Sequence, residues 1–172
     1  MTQYAVPDGD DSTGNWGSAP LFQKIDESPS HNDSDSISVT HDGSGSTETC
    51  RFTLSNVTDP SGSTDHKVVV RHATSGWYGA SLTIKLLQGG TTIKSSSVSS
   101  TSSTTTTTLT LSTSEANAIT DYNALKLELQ AVESYPSGET TTVYQANFNC
   151  PAASASTPIA AIAGNTFRQM RG

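Results

Sequence analysis

The segment "ASLTIKLLQGGTTIKSSSV" sets Leu82, Ile84 and Leu86 in alternation with Thr83, Lys85 and Leu87, then reaches Gly89-Gly90. Alternation with period two places one set of side chains on each face of a strand. A Gly-Gly pair supplies the positive φ angles that a two-residue hairpin demands, so 80–88 is expected to fold back on 91–98. A chain built around such a hairpin is committed to an antiparallel sheet.

The same period recurs on both sides of the hairpin. Phe52 and Leu54 alternate with Arg51 and Thr53, and Val68 and Val70 share a face with His66 and His72. Leu125, Leu127, Leu129 and Ala131 point one way against Lys126, Glu128 and Gln130. In "TTTVYQANFNC" the phase predicts Val143, Gln145 and Asn147 on the face opposite Tyr144, Ala146 and Phe148. Turn clusters at 58–65, 73–79 and 134–139 separate these runs. Strands are expected at 21–25, 36–39, 50–55, 66–73, 80–88, 91–98, 105–111, 124–132 and 141–149. One helical turn is expected at 113–119, where Ser112 and Glu115 form a capping box. The resulting expectation is an all-β fold: a single antiparallel β-sandwich, jelly-roll-like, with one short helical turn and an extended C-terminal tail. The division along the chain is 1–20 N-terminal extended segment, 21–150 sandwich, and 151–172 linker and docking arm.

One stretch tests that division. Between Ser95 and Thr108 every residue except Val98 is Ser or Thr, a composition normally too poor in apolar groups to fold. Threonine is β-branched, however, and Thr105, Thr107, Leu109 and Leu111 fall on one face. The stretch is therefore expected to contribute two strand pieces joined by a polar crossing, and not to split the chain into two modules.

Charge excludes one class of partner. All sixteen acidic residues precede residue 150, eight of them before residue 43, while 151–172 carries only Arg168 and Arg171. Nucleic acid, which needs a basic patch to neutralise phosphates, is not an expected partner. The first residues lack the pattern of a signal peptide and no run suits a membrane span, so no membrane partner is expected either.

No catalytic motif is present, neither GxSxG nor HExxH nor a phosphate-binding glycine loop, so the expectation is a non-enzymatic protein without a required cofactor. Asp8, Asp10 and Asp11 in "DGDDSTGN" resemble an oxygen-rich calcium loop but lack the EF-hand spacing; a solvated turn is the leading reading and calcium the other. Cys50 and Cys150 are read as buried free thiols, with a disulfide between them as the alternative. Trp77 and Tyr78 in "SGWYG" pack a loop or form a glycan platform. Trp16 is expected to pack the first strand onto the sandwich. His66 and His72 lie about 20 Å apart along one strand and cannot share a metal. Ile159, Ile162, Phe167, Arg168, Met170 and Arg171 give the tail an apolar and basic character; an arm that orders by docking on a neighbouring subunit is the leading reading and a frayed end the other.

The phrases "PDGDDSTGNW", "LFQKIDE", "FTLSNVTDPSGSTDHKVVVRHATSG", "LTIKLLQGGTTI" and "LTLSTSEANAITDYNALKLELQA" together resemble a family of small β-sandwich virion structural proteins of tailed bacteriophages, over about residues 8–132. That resemblance implies a capsid decoration or head/tail accessory subunit, assembled in host cytoplasm onto the virion through contacts with capsid or tail proteins and copies of itself. The alternative is a glycan-binding module of a phage adhesin or bacterial surface protein, with cell-surface glycan as its partner.

Overall fold

A computed structural model describes residues 1–75, 80–99, 101–132 and 138–153, and within them ten strands form two antiparallel sheets. The strands are β1 (Thr2–Ala5), β2 (Pro7–Ser12), β3 (Ile37–Thr40), β4 (Thr47–Leu54), β5 (Lys67–Ser75), β6 (Ser81–Gln88), β7 (Thr91–Ser99), β8 (Thr105–Thr110), β9 (Leu125–Val132) and β10 (Thr140–Pro151). One sheet runs β1-β10-β5-β8, with β3 also paired to β10; the other runs β2-β4-β9-β6-β7. From β3 onward, β3-β10-β5-β8 facing β4-β9-β6-β7 is the jelly-roll order expected of two interleaved Greek keys.

The alternating residues do what their period requires. Val68, Val70, Leu109, Val143, Ala146 and Phe148 from the first sheet are buried with Phe52, Leu54, Leu82, Ile84, Leu86, Leu127 and Leu129 from the second. Each fully buried side chain of this size contributes about 1.5–3 kcal/mol against the entropy of ordering the chain. Trp16 is 1% exposed and donates from Nε1 to the Glu48 carbonyl at 3.1 Å, fastening the segment after β2 to β4. Gly14 permits this fit: its φ is +52°, and a Cβ there would lie 2.1 Å from the Thr49 carbonyl oxygen.

The Ser/Thr run is part of the sandwich. Its first half is β7, the outer strand of the second sheet, and its second half is β8, the outer strand of the first. The crossing between them is held where Thr74 N–H donates to the Thr101 carbonyl at 2.9 Å. The helical turn α1 (Thr113–Asn117) follows with both halves of the Ser112/Glu115 capping box formed. Lys94 Nζ reaches both Glu115 carboxylate oxygens at 3.0 Å and ties β7 to this turn.

Four expectations are altered. Residues 1–20 are not merely a lead-in: β1 joins the first sheet and β2 the second with only Val6 between them, so the sandwich begins near the N-terminus. The stretch 21–25 is not a strand but a 3-10 turn (Phe22–Lys24) that buries Leu21 and Ile25, its start held by the Asp10 carboxylate accepting from the Leu21 and Phe22 N–H groups at 2.8 and 2.9 Å. In β10 the register shifts between Val143 and Gln145, so Val143 joins Ala146 and Phe148 in the core, away from Gln145 and Asn147. In the hairpin, Gly89 alone of the pair has a positive φ, +59°, the pattern of a turn that needs Gly only at its first central position.

Candidate ligand cleft at the strand ends

Three segments far apart in sequence meet at one end of the sandwich: the side of β1, the turn after β4 and the turn after α1. Between them lies a cleft of about 460 Å³ whose lining includes Gln3, Asn56, Asp59, Asp121, Tyr122 and Asn123.

Each wall is fixed by its own residues. Gln3 is clamped at both ends of its amide: Nε2 donates to the Thr58 carbonyl at 2.7 Å and the Pro151 carbonyl at 2.8 Å, and Oε1 accepts from Thr58 N–H at 2.9 Å. This holds the 56–59 turn against β1 and the end of β10. Val57 anchors the same turn in the core. Asp59 Oδ1 accepts from Ser61 N–H at 2.7 Å, a local side-chain turn that shapes the loop. On the far wall, Asp121 Oδ1 caps a second 3-10 turn (Tyr122–Ala124) by accepting from Asn123 N–H at 2.9 Å. Gln88, at the end of β6, holds that wall by accepting from the Thr120 and Asp121 N–H groups and donating to Thr120 Oγ1.

Tyr122 forms the floor and is 6% exposed. Its hydroxyl lies 2.7 Å from His66 Nε2, and His66 Nδ1 lies 2.9 Å from the Thr64 carbonyl. A carbonyl can only accept, so Nδ1 carries the proton, and in the neutral ring Nε2 accepts a hydrogen bond from the Tyr122 hydroxyl. Burial, reinforced by the negative charge of Asp59, pushes the Tyr122 phenol up to about 12, so it stays a donor at neutral pH. Phe148 packs with both rings, at 5.9 Å from His66 and 6.4 Å from Tyr122 between centroids. A second lobe of about 280 Å³ adjoins on the other side of Asp59 and Tyr122 and brings in Ser61, Ser63 and Asn117.

Among the described residues, the lining of both lobes contains two carboxylates, several amides and hydroxyls, and no Lys, Arg or His. Amides donate and accept in a plane, and carboxylates accept from two oxygens. Such a set is matched to adjacent hydroxyl groups on one ligand and offers nothing to neutralise an anion.

Of the candidate site residues singled out from the sequence, the described ones do not line this cleft. Trp77 and Tyr78, and Ile159, Ile162, Phe167, Arg168, Met170 and Arg171, lie outside the described residues. Asp8, Asp10 and Asp11 diverge: Asp8 accepts from Thr53 Oγ1 at 2.6 Å, Asp10 holds the backbone at 21–22, and Asp11 pairs with Lys126 at 2.9 Å and Arg51 at 3.5 Å. No group of three or more metal-ligating side chains occurs among the described residues. Cys50 and Cys150 are buried free thiols. Burial pushes both up, Cys150 to about 11 with the Asp59 charge adding to it. His72 is also buried, with Nε2 2.9 Å from Thr107 Oγ1, and burial holds its pKa below the ordinary value. The cleft escaped sequence reading because Gln3, Asn56 and Asn123 follow no pattern until the topology brings them together. The turn signal "TDPSGSTD" marked the position of one wall without marking its partner.

No family model matches the chain, and no curated protein matches it. Among solved structures it is similar to an arabinose-bound α-L-arabinofuranosidase, with 84% of this chain and 26% of that one covered, TM-score 0.51 and 14% identity. It therefore spans about a quarter of that enzyme. It is also similar to a carbohydrate-binding module specific for non-crystalline cellulose, covering 85% and 89% of the two chains at TM-score 0.49 and 16% identity. A third is the N-terminal cellulose-binding domain of Cellulomonas fimi β-1,4-glucanase C, covering 76% and 87% at TM-score 0.45 and 12% identity. The likeness is one of fold, the antiparallel β-sandwich.

Proposed function

We propose that the chain is a glycan-binding β-sandwich module that holds a neutral sugar in the cleft between β1, the 56–59 turn and the 120–123 turn, without turning it over. The observation that carries this reading is the lining itself: Gln3, Asp59 and Asp121 pinned by backbone hydrogen bonds beside the exposed amides of Asn56 and Asn123 around a cleft of about 460 Å³, with no cationic side chain among the described lining residues. Groups held in place before binding lose little entropy on contact, which suits a ligand that offers many weak hydroxyl contacts. The fold is shared with an enzyme whose structure was determined with arabinose bound, but at 14% identity that supports the scaffold and not the ligand. Display on a phage adhesin or a bacterial surface protein is the setting in which such a module would meet cell-surface glycan; this is how the virion resemblance fits the reading.

The test is a glycan array read with the wild-type protein and the double variant Asn56→Ala/Asn123→Ala, both of which change exposed side chains. Binding to neutral glycans is expected, weakened about tenfold or more in the variant, since each lost hydrogen bond removes about 1 kcal/mol. Equal binding by the two proteins would move the site away from the cleft. Release of new reducing ends from a bound polysaccharide would overturn the non-enzymatic part.

A further inference from the structure

Apart from Met1, Tyr4 is the large hydrophobic side chain most open to solvent among the described residues, at 37%. It lies on β1 next to Gln3, and successive strand residues face opposite ways, so Tyr4 looks away from the cleft. The register across the first sheet sets Tyr4 opposite Asn149, Asn149 opposite Lys67, and Lys67 opposite Thr110. A ring, an amide, an ammonium and a hydroxyl therefore form one row across four strands, spaced at about 4.8 Å per strand.

Two features of this row point to a ligand. Asn149 Oδ1 is buried with no hydrogen-bond partner, although the residue lines a groove of about 270 Å³ shared with Met1, Thr2, Tyr4, Asp65, Lys67 and Pro151. Unpaired buried acceptors are rare, and one at the side of a groove is suited to a donor from outside. The second is charge: Lys67 Nζ lies 4.0 Å from Asp65 Oδ1, so among the described side chains lining the groove the one cation stands beside a carboxylate. An anion gains little there, whereas a neutral hydroxyl can donate to the Asn149 oxygen and accept from Lys67.

We propose that this groove is a second sugar subsite, in which the apolar face of a neutral pyranose stacks on Tyr4 while its hydroxyls reach Asn149 and Lys67. The proposal rests on the glycan-binding reading but uses residues on the opposite side of β1 from the cleft. An aromatic ring beside a planar amide is the combination a sugar needs, because one face of the sugar is C–H and its rim is hydroxyl.

The experiment is the same array of neutral pyranose oligosaccharides, read with wild type, Tyr4→Ala, Tyr4→Phe and Asn149→Ala, each checked for an unchanged thermal midpoint. Tyr4→Ala is expected to weaken binding about tenfold, Tyr4→Phe to stay within about threefold because it keeps the ring, and Asn149→Ala to lose affinity while melting as wild type. Wild-type binding that Tyr4→Ala leaves unchanged overturns the subsite and spares the cleft. Absence of binding by the wild-type protein overturns both. Should Tyr4→Ala melt early, loss of binding in a normally melting Asn149→Ala supports the subsite and its retention overturns it.

Discussion

Glu128 sits on the outer face of the second sheet, yet its side chain is only 5% exposed. Arg51 covers it from β4, donating through Nε at 2.9 Å and also through its terminal nitrogen, and Lys85 covers it from β6 at 3.0 Å. Asp11 extends the row by reaching both Arg51 and Lys126. Burial alone would raise the Glu128 carboxyl, but hydrogen bonds and charge from Arg51 and Lys85 outweigh it and hold the group below its usual 4.5. A carboxyl depressed in the folded state contributes stability that is full above 4.5 and is lost as pH falls through the folded value. Replacing Glu128 with Gln is therefore expected to lower unfolding stability by about 1–3 kcal/mol at neutral pH. The gap between the two proteins should shrink in urea titrations carried below pH 4.5. A gap that stays constant through the acid range would mean the charge is not the source.

At the scale of elements, the hairpin gives the sharpest contrast. A methyl group added at Gly89 or at Gly90 would meet no atom within 4 Å, so space does not distinguish the two positions; conformation does. With φ at +59° only at Gly89, Gly89→Ala should cost about 1–2 kcal/mol, while Gly90→Ala should fall within about 0.5 kcal/mol of wild type. Equal losses in thermal melts would show that both positions need the left-handed region. The period-two strands, this hairpin and the capped α1 were legible because each is signalled within a dozen residues. The phase of β10 was not, because a bulge adds one residue without changing composition, and Val143 reads the same on either face. Leu21 and Ile25 misled for a related reason: two apolar residues four apart are buried equally well by a strand or by a short turn, and the Asp10 carboxylate that decides between them is eleven residues away.

Over the whole molecule, the N-terminal residues act on both layers. β1 pairs with the end of β10 and β2 pairs with β4, so removing residues 1–12 strips an outer strand from each sheet and takes away the Gln3 clamp on the cleft. That deletion is expected to lower the thermal midpoint by more than about 10 °C. An unchanged midpoint would make these strands dispensable to the sandwich. The cleft depends on the same long-range assembly, which is why the β-sandwich was readable from local pattern and its candidate site was not. One feature of the topology also governs how the protein can be made. β10 is the last strand in order and lies inside the first sheet, with β5 on one side and β1 and β3 on the other. When a ribosome has translated as far as Val132, all five strands of the second sheet exist, but β1 and β3 still lack the strand they pair with. Phe52, Leu82, Ile84, Leu127 and Leu129 then have no completed layer to cover them, so a stalled or prematurely released nascent chain is a target for chaperones and for aggregation.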